Sequence, residues 1–177
     1  MLLVTLTLSG FTSGVRTTSA ITDTKAIYKA LFIYNFATLV DWPADYRKGE
    51  FIIGVYGKNT AVYDQLNAKY SGKSIGSQEI KVVKHSSKST INKKTHILYI
   101  TEDKSETIST FSTEYKGKST LLITEKPGYL SKGAVINFVI DKARNNKQSY
   151  EIDKSNAKRH KLIIASKLTT LAVKVVE

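Results

Sequence analysis

The sequence has no cysteine in 177 residues and contains only two prolines, one methionine and one tryptophan. Without cysteine the chain has no disulfide bond, no thiol nucleophile and no thiolate ligand for a metal. Its three histidines have no local partners at ligand spacing, so we predict neither a metal site nor a cofactor. A chain of this length forms one domain, whose core is large enough to fold without a metal or a disulfide.

The chain also lacks an apolar run long enough to cross a membrane with confidence. The apolar run from Leu2 to Phe11 is followed by the triplet Thr18-Ser19-Ala20, which is typical of a secretory signal. The basic residues that usually precede such a run are missing, because Arg16 lies after it. Against a retained anchor or a buried strand, we predict a signal peptide over residues 1–20, cleaved after Ala20. The mature domain over residues 21–177 would then not span the membrane.

Acidic residues are few, with 15 Asp and Glu against 27 Lys and Arg, which gives a formal net charge of +12. Base readout and bidentate phosphate contacts favour arginine. Here 23 of the 27 basic residues are lysines, and they are spread along the chain. We therefore predict no nucleic-acid partner. A solvated lysine-rich surface is one explanation of the charge, and attraction to an acidic partner or to anionic lipid headgroups is the other.

The stretch from Asp23 to Pro43 predicts the central helix of the fold. Between Ala26 and Val40, twelve of fifteen residues are apolar or aromatic. Thr22 or Asp23 is the predicted N-cap, and the approach to Pro43 ends the helix. Because apolar side chains cover most of its circumference, we expect the helix to be enclosed by a sheet and other elements, with no face in water.

Six further apolar segments predict strands, at residues 51–57, 78–84, 96–101, 120–124, 134–140 and 149–153. Helices are predicted from Asn59 or Thr60 to Tyr70 and over residues 105–116. This alternation predicts a single α/β domain with a mixed, mostly parallel sheet flanked by helices on both faces. The pair Asn145-Asn146 predicts the turn of a C-terminal antiparallel hairpin at one edge. A last helix is predicted over residues 155–176, with its apolar side covering the sheet through Leu162, Ile163, Ser166, Leu168 and Leu171.

Two kinds of short motif resemble catalytic or phosphate-binding patterns, but their context is wrong. A nucleophile elbow needs a strand before its serine and a helix after it, whereas around Ser74 in GKSIG the predicted order is reversed. The GKS at Gly72 and the GKST at Gly117 lack the leading glycine of a phosphate-binding loop, and a strand follows each. We therefore predict no catalytic residue and no enzyme, and a Ser74 esterase is the third hypothesis for function.

Acidic residues follow two of the predicted parallel strands. Glu102 and Asp103 follow one strand and Glu125 follows another, so they should gather at the carboxyl edge of the sheet near Gly57. Ligands bind at this edge in open α/β folds. Paired carboxylates there could bind a small ligand, hold a cation or perform acid/base chemistry. Alternatively, Asp103 or Ser105 caps the next helix and the glutamates face water.

Four segments together resemble the YfiR-like family. They are YKALFIYNFATLVDWP, HILYI, LLITEKPGYLSKGAVINF and EIDKSNAKRHKLIIASKLTTLA, and the match runs from about Lys25 to Val175. None of these motifs is specific alone, but their order and spacing are specific together. Many relatives carry a cysteine just before the HILYI-type strand, where Thr95 stands here. Redox control through disulfides is therefore excluded for this chain.

The resemblance implies a periplasmic, non-enzymatic regulator. The type member of the family represses a membrane-bound diguanylate cyclase by binding its periplasmic sensor domain. For this chain it implies a partner that is the periplasmic domain of an inner-membrane signalling protein, either a diguanylate cyclase or a sensor kinase. A homodimer is also left open. The alternative function is a periplasmic small-ligand-binding protein or sensor that uses the crevice of Gly57, Glu102, Asp103 and Glu125.

A C-terminal basic cluster is the candidate for the partner-binding surface. Its members are Lys142, Arg144, Lys147, Lys154, Lys158, Arg159 and Lys161. The cluster is either a solvated surface or an electrostatic docking face, which would raise the association rate more than the affinity. The residues predicted to bind the partner are Pro127, Gly128 and Lys132 in one loop and Lys158, Arg159 and Lys161 in the last segment.

Overall fold

The structure, a computed structural model, describes residues 23–177. The predicted signal peptide over residues 1–20 therefore lies outside the described part of the chain. The α-helices are α1 (Thr24–Leu39), α2 (Ala61–Tyr70), α3 (Ile108–Glu114), α4 (Lys154–Arg159) and α5 (Ser166–Leu171). The strands are β1 (Val40–Asp41), β2 (Phe51–Tyr56), β3 (Ser74–Ile75), β4 (Gln78–His85), β5 (Ile97–Ile100), β6 (Leu121–Thr124), β7 (Ile136–Asp141), β8 (Lys147–Asp153), β9 (Ile163–Ile164) and β10 (Lys174–Val176). Among the residues described, no helix has the length and apolar character needed to span a membrane.

Eight of the strands form one sheet in the order β10-β8-β7-β6-β5-β2-β4-β3. The five strands from β4 to β7 in this order run parallel, and β8 pairs antiparallel to β7. Residues 142–146 connect β7 to β8, and Asn145 and Asn146 both have positive φ, 55° and 56°, as the turn between Arg144 and Lys147 requires. The mixed α/β fold with its C-terminal hairpin is thus confirmed. A separate two-stranded ribbon pairs β1 with β9.

Helices pack on both faces of the sheet, as predicted. The ring of Phe51 in β2 contacts Trp42, which follows α1, with centroids 5.1 Å apart. Tyr56 lies five residues later in the same strand and contacts Phe111 of α3 at 5.7 Å. Because side chains alternate along a strand, these two contacts lie on opposite faces.

Helix α1 is only partly enclosed. Asp23 is its N-cap and accepts hydrogen bonds from the backbone N–H groups of Lys25 and Ala26. The face that carries Ile33 and Phe36 is buried, and Phe36 packs edge-on against Tyr150 of β8 at 4.9 Å. The expectation that no face meets water is wrong, because Tyr28 and Leu31 are 50% and 42% exposed. The sheet covers one side of the helix. Apolar content alone does not show which residues lie on the side that faces away from the sheet.

The predicted last helix over residues 155–176 is wrong. The segment is divided into α4, β9, α5 and β10, each of two to six residues. Leu162 and Leu168 are buried as expected, but Ile163 and Leu171 are exposed and cover nothing. The breaks occur where Ile163 pairs with Asp41 of β1 and where β10 pairs with β8. These distant pairings override the local helical pattern.

All three histidines are buried, and burial lowers the pKa of each. The clearest case is His96, whose Nδ1 accepts a hydrogen bond from the backbone N–H of Ile52 at 3.1 Å. Its Nε2 donates to the carbonyl oxygen of Tyr46 at 2.7 Å. Protonation of Nδ1 would set two N–H groups against each other. The native state therefore favours neutral His96.

We expect the free energy of unfolding to fall when the pH is lowered from 7 to 5. Histidine has a pKa of about 6.5 in the unfolded chain, so below that pH the unfolded state binds more protons than the native state. Each of His85, His96 and His160 then removes at most about 1.4 kcal/mol per pH unit. Urea unfolding followed by circular dichroism at pH 5, 6 and 7 measures the slope. Carboxyl groups with a lowered pKa, such as Asp103, lose their contribution only below about pH 4. A free energy that is constant from pH 7 to 5 would contradict this account.

Candidate functional site

The carboxyl edge of the sheet brings Glu102 and Glu125 together. Glu125 follows β6, and its Oε1 accepts a hydrogen bond from the backbone N–H of Glu102 at 2.9 Å. Its Oε2 is paired with the ammonium group of Lys29, which reaches over from α1. The side chains of Lys29 and Glu125 are only 16% and 9% exposed. One carboxylate of the predicted crevice is therefore already neutralised by a buried partner.

Tyr99 of β5 lies next to the ion pair of Lys29 and Glu125. The side chain is buried, and its hydroxyl group lies against the Glu125 carboxylate. Burial and then the negative charge of Glu125 raise the pKa of Tyr99 well above its ordinary value. The phenol therefore stays protonated beside the Glu125 carboxylate. The ion pair thus rests on a neutral hydrogen-bond donor, as a buried charge requires.

A cleft of about 700 Å³ opens beside this ion pair. Lys25 and Lys29 of α1 form one wall, Glu102 and Glu125 form its floor, and the hairpin from β7 to β8 forms the other wall. The walls carry charges of both signs and a few apolar side chains, including Phe138. Such a cleft has the size of a small-molecule site.

Gly57 and Asp103, the other two residues of the predicted crevice, do not line this cleft. They lie against each other: Asp103 Oδ1 accepts hydrogen bonds from the backbone N–H of Lys58 at 3.2 Å and from the hydroxyl of Thr101. These bonds, that of Thr101 first, lower the pKa of Asp103. Gly57 has a φ of +142° and packs directly on Thr101. The structure therefore uses Asp103 to fix the loop after β2.

Ser74 and the three histidines, which are the candidates for enzyme or metal chemistry, do not lie together. Ser74 is exposed in the two-residue edge strand β3, which follows helix α2 and pairs with β4. His85, His96 and His160 each pack in a different part of the core. Across residues 23–177, no three histidine, aspartate or glutamate side chains lie close enough together to hold a metal ion.

The predicted partner-binding residues lie on two neighbouring segments. Lys158 and Arg159 are exposed at the end of α4, and Lys161 follows with a φ of 54°. The turn Tyr129–Lys132 is tied to this helix because the buried Asn156 donates hydrogen bonds to two of the backbone carbonyls in and after that turn, both at 2.9 Å. Pro127, Gly128 and Lys132 are exposed beside the turn, and Lys132 Nζ stands 4.3 Å from the centre of the Tyr129 ring.

An exposed isoleucine lies next to these basic residues. Ile163 of β9 is 67% exposed, the highest fraction among the exposed large apolar residues of the described chain. It borders a groove of about 450 Å³, with Lys158 on one side and Leu162 beside it. We call Lys158, Arg159, Lys161 and Ile163 the α4–β9 surface. An apolar anchor inside a polar rim is the usual anatomy of a protein–protein contact.

Sequence reasoning missed Lys29, Tyr99 and Ile163. Lys29 had a usable signal, because it is the one lysine within the apolar stretch from Ala26 to Val40, and a buried lysine needs a partner. Tyr99 was predicted only as a strand residue. Ile163 was expected to cover the sheet, since its exposure depends on a β-ribbon that periodicity does not show.

Comparison with known proteins gives a family match that covers most of the chain. A profile of the YfiR/HmsC-like family matches residues 27–173. The match extends from the first turn of α1 to the residue before β10, so it includes the α4–β9 surface and all of the cleft except Lys25. No curated protein matches the chain. Because the profile covers most of its length, the chain belongs to the YfiR/HmsC-like family.

Proposed function

We propose that this protein is a periplasmic regulator that binds the periplasmic sensor domain of an inner-membrane signalling protein and holds it inactive. The partner is a diguanylate cyclase or a sensor kinase. At the level of the family, membership supports a periplasmic regulator in cyclic-di-GMP signalling. The α4–β9 surface is the observation in this molecule that carries the proposal.

The chemistry of the α4–β9 surface suits an acidic protein partner. Lys158, Arg159 and Lys161 raise the rate of association with a negatively charged domain, and Ile163 supplies apolar area that is removed from water on binding. To act as a repressor, the protein must bind one conformation of its partner better than the other. A preference of about a hundredfold corresponds to about 2.7 kcal/mol.

A regulatory role without catalysis also fits the carboxyl edge. Glu125 is held by Lys29, the backbone N–H of Glu102 and Tyr99, so it is committed to the structure. A general base must be free to reach a proton of the substrate. Glu102 is exposed in the cleft, which Glu151 of β8 also lines.

Charge reversal on the α4–β9 surface is expected to abolish repression. The double substitution Lys158→Glu and Arg159→Glu should weaken binding to the sensor domain by at least about tenfold, because it replaces attraction with repulsion. Ile163→Asp should have a similar effect by removing the apolar anchor. Surface plasmon resonance with purified sensor domains of the membrane cyclases and kinases measures the affinity, and cellular cyclic-di-GMP reports repression where the partner is a cyclase.

The matched control is Lys58→Glu with Lys84→Glu, which changes the net charge equally. Both lysines are exposed at the carboxyl ends of β2 and β4, whereas α4 follows the antiparallel strand β8 and lies at the amino ends of the parallel strands. This control should bind like the wild type. If both charge reversals weaken binding equally, the effect is one of total charge. If neither does, the α4–β9 surface is not the interface.

A second candidate function is small-ligand binding in the cleft beside Lys29 and Glu125. Its volume and mixed charge favour this possibility, with Lys25 and Glu102 available for contacts at the walls. Mass spectrometry of natively purified protein and ligand-induced shifts in thermal stability test it. A ligand whose stabilising effect is lost in Glu102→Ala would support this function, and a protein that neither copurifies with a ligand nor responds to any would argue against it.

A further inference from the structure

The hairpin of β7 and β8 projects beyond the rest of the sheet. Strand β7 pairs with β6 only up to Asn137, and β10 covers β8 only from Glu151 onward. Residues 138–150 therefore form a two-stranded ribbon, and within residues 23–177 no other strand pairs with it on either side. At about 3.3 Å per residue, the ribbon extends roughly 13 Å past the edge of β6.

The tip of this ribbon is basic. Lys142, Arg144 and Lys147 are all exposed, and every residue from 142 to 147 is exposed. The one acid of the tip, Asp141, accepts hydrogen bonds from the backbone N–H groups of Ala143 and Arg144 at 3.0 and 3.3 Å. Its carboxylate also lies 3.5 Å from the Arg144 guanidinium. Asp141 is thus occupied in shaping the turn, and Lys142 and Lys147 have no acid beside them in this turn.

Apolar and aromatic groups lie at the base of the basic tip. A groove of about 500 Å³ separates the ribbon from the first turns of α1. Tyr28 and Ile140, which are 50% and 39% exposed, face this groove together with Phe32. Lys25 and Lys147 stand at its rim. This end of the molecule therefore combines cations with exposed apolar side chains, which is the composition of membrane-surface segments.

We propose that the hairpin tip, with Tyr28 and Ile140, docks the protein on a membrane surface that contains anionic phospholipids. Lys142, Arg144 and Lys147 would contact the lipid phosphates, and the tyrosine ring would lie at headgroup level, where tyrosines of membrane proteins concentrate. This docking goes beyond the proposed function. It would hold the α4–β9 surface, which is made of other residues, close to a partner in the same membrane.

A lipid surface fits the tip better than an acidic protein does. A stable protein interface covers about 800 Å² on each partner and needs a broad surface. The tip is a narrow ribbon whose basic residues are exposed in and beside the connection of residues 142–146, and its apolar groups lie behind them. A layer of headgroups accommodates such a convex shape, with the charges at the phosphates and the apolar groups at the acyl boundary.

Vesicle cosedimentation of the mature chain tests the proposal. Two vesicle compositions are compared: phosphatidylcholine alone, and phosphatidylcholine with phosphatidylglycerol in equal parts. The wild type should bind only the anionic vesicles, and high salt should weaken binding. The triple substitution Lys142→Gln, Arg144→Gln and Lys147→Gln should lower the partition coefficient by roughly a hundredfold. Tyr28→Ser with Ile140→Ser should weaken binding at high salt more than at low salt.

Lys93→Gln, Lys94→Gln and Lys118→Gln together form the matched control, because they remove the same charge at the opposite edge of the sheet. This control should bind anionic vesicles like the wild type, and circular dichroism verifies that every variant is folded. The proposal is overturned if the wild type does not bind anionic vesicles or if both triple variants lose binding equally. It is also overturned if the tip variant binds vesicles normally but fails to bind the sensor domain. The Lys158→Glu and Arg159→Glu variant should still bind vesicles, so failure of the proposed function is distinguished from failure of lipid docking.

Discussion

Replacement of Gly57 by alanine is expected to lower the free energy of unfolding by about 4 kcal/mol or to prevent folding. A Cβ atom at this position would lie 1.6 Å from the Thr101 hydroxyl oxygen and 2.8 Å from Asp103 Oδ1. The φ of +142° adds strain, because L-residues rarely adopt it. A domain of ordinary stability, about 5–15 kcal/mol, would lose much of its margin.

Thr101 cannot move away to relieve this clash without breaking other bonds. It is buried, and its backbone N–H donates to the carbonyl oxygen of Tyr56 at 3.0 Å. Its hydroxyl donates to Asp103, which in turn accepts from the backbone N–H of Lys58. Gly57 therefore belongs to a closed network that joins the end of β2 to the start of the segment after β5. The glycine is required by close packing as well as by its backbone conformation.

Gly76→Ala is the matched control for this prediction. Gly76 also has a positive φ, +58°, but a Cβ there would meet no atom of the described residues within 4 Å. Its replacement should cost about 1 kcal/mol, the penalty for a left-handed residue alone. Urea unfolding is followed by the fluorescence of Trp42, which is the single tryptophan and is buried. If Gly57→Ala and Gly76→Ala have similar effects, the close packing of Gly57 on Thr101 is not what the native state requires.

The parallel sheet could be predicted because each of its strands can be recognised from its own local sequence. Segments such as Phe51–Tyr56 and Leu121–Thr124 are continuous apolar runs bounded by turns, as expected for strands buried on both faces. The gathering of Glu102 and Glu125 followed from topology, since the carboxyl ends of parallel strands meet at one edge. The part beyond Lys161 was not predictable in this way. Its short elements are stabilised by pairing with β1 and β8, and no glycine or proline marks their boundaries.

The pairing of Lys29 with Glu125 could not be predicted from the sequence for a different reason. The two residues are 96 positions apart, and one lies on a helix whose rotation about its own axis fixes which side chains point to the sheet. Helical periodicity did not single out the buried face, because apolar and aromatic residues surround most of α1. The partner of a buried charge is defined by three-dimensional packing, and the lysine alone indicates only that such a partner exists.

Removal of the Lys29 charge is expected to be the most destabilising change of a charged residue in the described chain. Lys29→Met should lower the free energy of unfolding by about 3 kcal/mol, because it leaves the Glu125 carboxylate buried with neutral donors alone. Lys29→Met combined with Glu125→Gln should be less destabilising than the sum of the two single changes, with a coupling of more than about 1 kcal/mol.

The pair Lys81 and Glu50 is the control, since its charged atoms are 3.0 Å apart but both side chains are more than half exposed. Solvent screens that pair, so Lys81→Met with Glu50→Gln should show a coupling below about 0.5 kcal/mol. Thermal and urea unfolding of both sets of variants give the coupling energies. Equal couplings for the two pairs would mean that the ion pair of Lys29 with Glu125 acts as a surface contact. The carboxyl edge would then have a carboxylate free to bind a ligand, and the second candidate function would gain over the first.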